Sequence, residues 1–258
     1  MSLPEIVSRD QWLTARKTLL IREKELTRQR DALNADRRRL PMVRVETDYV
    51  FTGPDGEVRL ADLFGPHTQL IVQHVMFDPA WEDACPGCTG ALDEINAPFL
   101  DHLAHRNTAF AAISRAPFPK LAAYREKRGW DFLPWYSSAG SSFNYDYHAS
   151  LDPAVTPVMF NYRDADELRA AGMAEFAEEA SEISGMSCFL RTPDGIFHTY
   201  SAYARGTDHL GGAYGFLDLT ALGRQEQWEE PKGRSAAVFA NAPFFTEENS
   251  AKTCDCGC

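Results

Sequence analysis

An α/β fold with parallel strands is predicted for this chain by three observations. Apolar runs recur along its middle: Leu70-Ile-Val-Gln-His-Val-Met-Phe77, Thr108-Ala-Phe-Ala-Ala-Ile-Ser-Arg115 and Leu133-Pro-Trp-Tyr-Ser137. Helical patterns separate them, and strands alternating with helices build βαβ units with right-handed crossovers. Two further strand-like stretches, 186–191 and 196–203, flank the turn Pro193-Asp-Gly195 and predict an antiparallel hairpin near the end.

Taken in order, Ser8-Arg-Asp-Gln11 is a capping-box pattern that starts a long helix. Trp12, Leu19, Leu26, Leu33 and Leu40 recur along it at a seven-residue step until Pro41. The intervening seam positions are mostly polar, as at Arg22 and Gln29, so one apolar stripe is expected rather than a full coiled coil. Such a stripe packs on the domain or on a second copy of the chain, which makes a homodimer through this helix an expectation. Val43, Val45, Thr47, Tyr49 and Phe51 then alternate, Gly53-Pro-Asp-Gly56 turns, and Val58, Leu60 and Leu63 resume, which reads as a hairpin. One helix is expected over residues 89–103 and another over 119–128, stopped by Gly129. The stretch 138–163 is loop-like but aromatic, with Phe143, Tyr145, Tyr147 and Tyr162. An acidic helix over 164–184 follows, with Met173, Phe176, Ala180 and Ile183 on one face. A closing helix is expected over 211–222, and the chain beyond lacks periodicity.

Length and charge narrow the function classes. A chain of 258 residues buries a substantial core, and its formal charge of −11 opposes both nucleic-acid binding and docking on anionic membranes. No stretch reaches the ~20 apolar residues of a membrane span, and the first residues carry no basic region followed by an apolar core. Six cysteines fall as one pair, one singleton and one terminal cluster. That spacing suits reactive or metal-binding thiols in a reducing compartment, so a cytoplasmic location is expected.

The pair is Cys85-Pro-Gly-Cys88, set between a buried strand and a helical pattern. Two thiols at that spacing close a small disulfide ring, and a helix N-terminus favours a thiolate. Pro86 suits the first helical turn, where its missing N–H has no intrahelical use. Trp81 and Phe77 are candidates for an apolar rim. Glu82 and Asp83 would oppose ionisation if close. His74 reads as a packed strand histidine. His198 and Tyr200 alternate with Ala202 and are candidates for one face beside the motif. Cys188 is a third thiol on the last hairpin, either near the pair or simply buried.

With the first helix and first hairpin treated as additions, the element order is that of a thioredoxin-like fold with a largely helical insertion before the last hairpin. The organisation expected is an N-terminal helical extension (1–41), a thioredoxin-like domain (42–223, insertion 138–184) and a C-terminal tail (224–258). Cys85-Pro-Gly-Cys88, Phe197-His-Thr-Tyr-Ser201, Ala204-Arg-Gly206, Leu217-Asp-Leu-Thr220 and Leu222-Gly-Arg224 resemble a bacterial family catalogued as domain of unknown function 899. Its members are described as thioredoxin-like and as predicted dithiol–disulfide oxidoreductases. The resemblance implies that Cys85 attacks, that Cys88 resolves, that a protein or small-molecule thiol or disulfide is the partner, and that no cofactor is required.

Two departures accompany the resemblance. Thioredoxins carry a cis-proline before the penultimate strand, where this chain has Gly185-Met-Ser-Cys188. Peroxiredoxins place Pro seven residues and Thr three residues before the active cysteine; counted from Cys85 those positions are Asp78 and Glu82. The terminal Cys254-Asp-Cys256-Gly-Cys258 lies outside the resemblance. It reads either as an arm that exchanges with the pair or as a soft-metal ligand set for Cu(I) or Zn(II), with Cys88 as a possible fourth sulfur. Soft-metal binding is therefore the alternative to oxidoreductase chemistry.

Overall fold

A computed structural model describes residues 4–221 and 223–224. Contacts divide them into two units, residues 4–41 with 216–224, and residues 42–215. In the first, α1 (Arg9–Arg37) begins at the expected capping box: Ser8 Oγ accepts from the Gln11 N–H at 3.3 Å and the Gln11 side chain accepts from the Ser8 N–H at 3.0 Å. No residue of α1 is buried, and Trp12, Leu19, Leu26 and Leu33 are all exposed.

The second unit is built on an eight-stranded sheet. Its elements run β1 (Val43–Arg44), β2 (Val50–Gly53), β3 (Gly56–Arg59), β4 (Gln69–His74), α2 (Pro86–Asp93), α3 (Ala97–Ala104), β5 (Thr108–Ser114), α4 (Phe118–Arg128) and β6 (Trp135–Ser137). The insertion contains α5 (Phe143–Asp146), β7 (Ser150–Leu151), β8 (Met159–Phe160), β9 (Arg163–Asp164), α6 (Ala165–Ala170), α7 (Ala174–Glu178) and β10 (Ser181–Glu182). The chain then forms β11 (Gly185–Thr192), β12 (Gly195–Tyr203) and α8 (Gly212–Leu217).

The sheet order is β1-β12-β11-β4-β5-β6-β2-β3. Strands β4, β5 and β6 are parallel neighbours, and β11 runs antiparallel on the other side of β4, followed by β12. This is the thioredoxin-like arrangement expected, with the strand that feeds the cysteine motif at its centre. One sheet face packs Val75, Met76, Phe77, Cys88, Leu92, Leu121 and Trp135; the other packs Leu70, Val72, Ile113, Phe143, Tyr147 and Phe189. The insertion has a small core of its own around Leu151, Phe160, Leu168, Phe176 and Ile183.

Four sequence expectations change. Residues 43–51 are not one strand: Val43 and Arg44 pair with β12 at one sheet edge, whereas β2 joins the opposite edge beside β6. Alternation alone could not reveal that the chain crosses the sheet between them. The helix expected over 89–103 is two, because Asn96 caps a new start by accepting from the Phe99 N–H at 3.0 Å and Pro98 occupies the first turn. The helix expected over 164–184 breaks at Gly172, whose φ of +77° suits a glycine, and Ser181–Glu182 become a short strand against β7. The closing helix stops at Leu217.

Gly185 begins β11 because only hydrogen fits there. A Cβ would stand 2.6 Å from the Tyr203 ring and 2.9 Å from the Ala202 carbonyl oxygen. Backbone cannot yield as a flexible side chain does, so Gly185→Ala is expected to lower unfolding free energy by ~1–3 kcal/mol. A lower urea midpoint at unchanged slope would register it.

Candidate functional site: a dithiol at the start of α2

Cys85 is the N-cap of α2 and Pro86 fills its first turn. The Cys85 N–H donates to the Met76 carbonyl at 2.9 Å, which ties the motif to the end of the central strand. The Cys85 carbonyl accepts twice from Thr89, from its N–H at 2.9 Å and its hydroxyl at 3.0 Å. That hydroxyl also lies 2.9 Å from the Tyr124 phenol on α4. Cys85 is partly buried at the edge of the core cluster and Cys88 is buried within it.

The two thiols are driven apart in acidity. Hydrogen bonding from the Cys88 thiol, aided by the N–H groups of Cys88 and Gly87, lowers the Cys85 pKa to about 7 against the opposing effect of burial. Pro86 contributes no N–H, as its position predicts. Cys88 is pushed well upward by that same hydrogen bond, by burial and by the charges of Cys85 and Glu182, while the Met76 N–H pulls the other way. Cys85 is therefore more readily ionised near neutrality than an ordinary thiol. Asp83 does not stand unscreened beside it, because Lys127 Nζ holds its carboxylate at 2.8 Å.

Trp81 is half-buried against the same core cluster as Cys85. Phe77 is not at the rim: it is fully buried, edge-on to Tyr124 at 5.6 Å. Cys188 lies opposite Ile71 and Tyr200 in the sheet, and Ile71 packs on the motif's face. His198 does not share that face with Tyr200. The register shifts between Cys188 and Phe189, so Thr199 is an extra residue and His198 falls opposite Phe189 instead. Its ring packs against Tyr147 and Phe189 on the far side of the sheet.

That far side holds a buried polar chain. His74 Nε2 is 2.8 Å from Ser187 Oγ, which is 2.7 Å from Ser201 Oγ, which is 2.8 Å from His198 Nε2. Burial, and secondarily His198, push the His74 pKa down to about 3, so it is neutral at physiological pH. Phe143 and Tyr147 pack over His74, which makes these insertion aromatics a covering layer on that face.

Sequence reasoning missed the cluster at the C-terminal ends of β4 and β5. Arg115 donates from Nε to Glu182 at 2.6 Å, to the Tyr145 phenol at 3.0 Å, and to Asp78. Glu182 also accepts from Ser150 Oγ at 2.8 Å. Lys120 donates to the carbonyls of Pro79 and Trp81 and fastens the loop before the motif. The signal available was Asp78 and Arg115, each standing just after an apolar strand run; nothing distinguished Glu182 from its acidic neighbours. Among the described residues no three metal-ligating side chains converge, and Cys254, Cys256 and Cys258 lie outside the described residues. No helix among the described residues is long and apolar enough to cross a membrane.

A family model described as "Bacterial protein of unknown function (DUF899)" matches residues 1–242. The chain belongs to that family. No curated protein sequence matches this DUF899 member significantly. Solved structures similar to it include a Xanthomonas campestris bacterioferritin comigratory protein studied for alkyl peroxide reduction, at TM-score 0.43 and 12% identity over 66% of this chain and 94% of that one. Xanthomonas campestris peroxiredoxin Q gives TM-score 0.44 and 11% identity over 70% and 98%. A cysteine-to-serine mutant of Xylella fastidiosa PrxQ gives 0.41 and 10% over 66% and 91%. Counted from Cys88 instead of Cys85, the peroxidatic Pro and Thr positions fall on Trp81 and Cys85. Neither register carries that motif.

Two measurements follow. Alkylation of Cys85 by iodoacetamide, followed by peptide mass spectrometry against pH, is expected to show a midpoint near 7 that rises in Cys88→Ala. His74 has a depressed folded pKa, so its stabilising contribution is complete above the unfolded value of 6.5 and is lost as pH falls toward 3. The urea stability of the wild type relative to His74→Gln is expected to fall by ~1–2 kcal/mol between about pH 7 and 5.

Proposed function

We propose that this protein is a thiol–disulfide oxidoreductase that works through Cys85 and Cys88. The observation that carries the reading is the division of labour between the sulfurs: one partly exposed and ionised near neutrality, the other buried, protonated and bonded to the first. A Cys85 thiolate attacks a disulfide of the partner, releasing one partner thiol and forming a mixed disulfide. Cys88 then attacks Cys85, closes the ring and releases the second thiol, and an external thiol restores the pair. The substrate is a protein or small-molecule disulfide that reaches Cys85 past Trp81. Peroxide reduction is disfavoured as the main activity because neither cysteine carries the peroxidatic residues before it.

Reduction of insulin disulfides with a small dithiol as electron source tests the proposal. The wild type is expected to accelerate the reaction, and Cys85→Ser to abolish the acceleration. Cys88→Ser is expected to accumulate a mixed disulfide at Cys85, visible as a mass adduct. A wild type that exchanges with no disulfide under several reductants would overturn the reading.

A further inference from the structure

We infer that Tyr124, acting through Thr89, is a positioning residue for the dithiol: their two hydroxyls clamp the turn that carries Cys85 and Cys88 and favour closure of its disulfide ring. The inference rests on the dithiol reading above and deepens it by assigning a source of the pair's reducing strength. The clamp is a chain of two hydrogen bonds that runs from α4 to the attacking cysteine. Thr89 Oγ lies 3.0 Å from the Cys85 carbonyl oxygen and 2.9 Å from the Tyr124 phenol oxygen.

Proton counting fixes the direction of the chain. A carbonyl only accepts, so the single hydroxyl proton of Thr89 goes to Cys85. The Tyr124 O–H then donates to Thr89 Oγ, and among the described residues the phenol is bonded to no other group. Tyr124 is buried, with its ring edge-on to Phe77 at 5.6 Å, to Trp130 at 5.9 Å and to Trp135 at 6.1 Å. Those contacts hold the phenol oxygen in place. A phenylalanine would fill the same space without burying a hydroxyl, so packing does not account for the oxygen. It contributes through Thr89 alone.

The bonds enclose the redox pair. The Cys85 N–H is held by the Met76 carbonyl, and the Cys85 carbonyl is held by the N–H and the hydroxyl of Thr89, the residue after Cys88. In the oxidised protein the covalent ring restrains this turn by itself. In the reduced protein the hydrogen bonds do so. Loss of the clamp therefore loosens mainly the reduced turn, and the entropy gained there opposes ring closure. Exchange with glutathione breaks two cysteine S–H bonds and forms one S–S bond. Oxidised glutathione takes up the two electrons and two protons and leaves as two thiols. The clamp shifts that equilibrium toward the ring, which makes the dithiol a stronger reductant.

The test uses the full chain carrying Cys188→Ala, Cys254→Ala, Cys256→Ala and Cys258→Ala, so that only the pair reports. Equilibration in mixtures of reduced and oxidised glutathione, followed by acid trapping, alkylation and mass spectrometry, gives the equilibrium constant for ring formation. Thr89→Val keeps the side-chain shape and removes the hydroxyl. It is expected to lower the constant about threefold to tenfold, a potential ~15–30 mV less negative. Thr89→Ser is expected to restore the constant to within about twofold of the wild type. Tyr124→Phe is expected to lower the constant by at least about twofold when Thr89 is present, and to change nothing when added to Thr89→Val. The alkylation midpoint of Cys85 is expected to stay in place in every variant, because the Cys88 thiol and the N–H groups of Gly87 and Cys88 are untouched. An unchanged constant in Thr89→Val, or a further fall when Tyr124→Phe is added to it, overturns the inference and leaves the dithiol reading intact. A midpoint that moves with the constant also overturns it, since the hydroxyls then act on the thiolate and not on the ring. A wild type that forms no ring in oxidised glutathione instead overturns the dithiol reading. Should Thr89→Val fail to fold, Tyr124→Phe alone decides: a constant equal to the wild type overturns the inference.

Discussion

The arrangement depends on Met76, whose two backbone groups address both cysteines. Its carbonyl accepts from the Cys85 N–H, and its backbone pulls the Cys88 pKa down against burial and the bond to Cys85. Met76 itself is buried among Phe77, Ala84 and Leu92, and it follows the central strand that is paired on both sides. The Val75 N–H is bonded to the Ile113 carbonyl and Phe77 accepts from the Ala116 N–H, so the chain on either side is fixed. The position of the dithiol is therefore set by the sheet and not by the loop that precedes it. The loop is fastened afterwards, by Lys120 at its carbonyls and by Arg115 at Asp78.

The helix N-terminus is usually credited with lowering a thiol pKa, and here that effect is secondary. The end of a helix is worth about 0.3–1 kcal/mol at exposed sites. A fall from 9.0 to about 7 corresponds to ~3 kcal/mol, which requires a second source. That source is the Cys88 S–H, which its hydrogen bond to Cys85 and its burial keep protonated. The acidity of the outer sulfur is thus bought with the basicity of the inner one. Whatever keeps Cys88 protonated at rest must be relieved when it attacks, so the site needs somewhere to put a proton.

The sequence reveals most of the frame and only part of the site. Apolar runs at 70–77 and 108–115 identify the central parallel strands, and Pro193-Asp-Gly195 identifies the last hairpin, because burial and turn chemistry leave local signatures. Cys85, Pro86 and Cys88 are legible for the same reason: strand, loop, cap and helix are contiguous in the chain. What escapes is non-local. One extra residue, Thr199, turns His198 to the opposite face from Tyr200, and no alternation pattern announces a bulge. The separation of β1 from β2 to opposite sheet edges is equally silent. Glu182 stands among Glu175, Glu178 and Glu179, and only the pairing of β10 with β7 buries it while α7 leaves Glu175 and Glu178 less enclosed.

Burying Glu182 in the insertion carries an energetic cost that its neighbours offset. A lone buried carboxylate is costly, and this one is tolerated because Arg115 and Ser150 satisfy both of its oxygens. Had stability been the only constraint, an apolar residue in place of Glu182, with Arg115 left to Asp78 and Tyr145, would serve as well or better. The pairing instead retains a carboxyl whose pKa burial pushes up to about 7. The short strand β10 also precedes Gly185 by only two residues, and Gly185 lies opposite His74 on the central strand. Glu182 itself belongs to the two-stranded sheet of β10 and β7, and the eight-stranded sheet that carries the dithiol begins again only at Gly185.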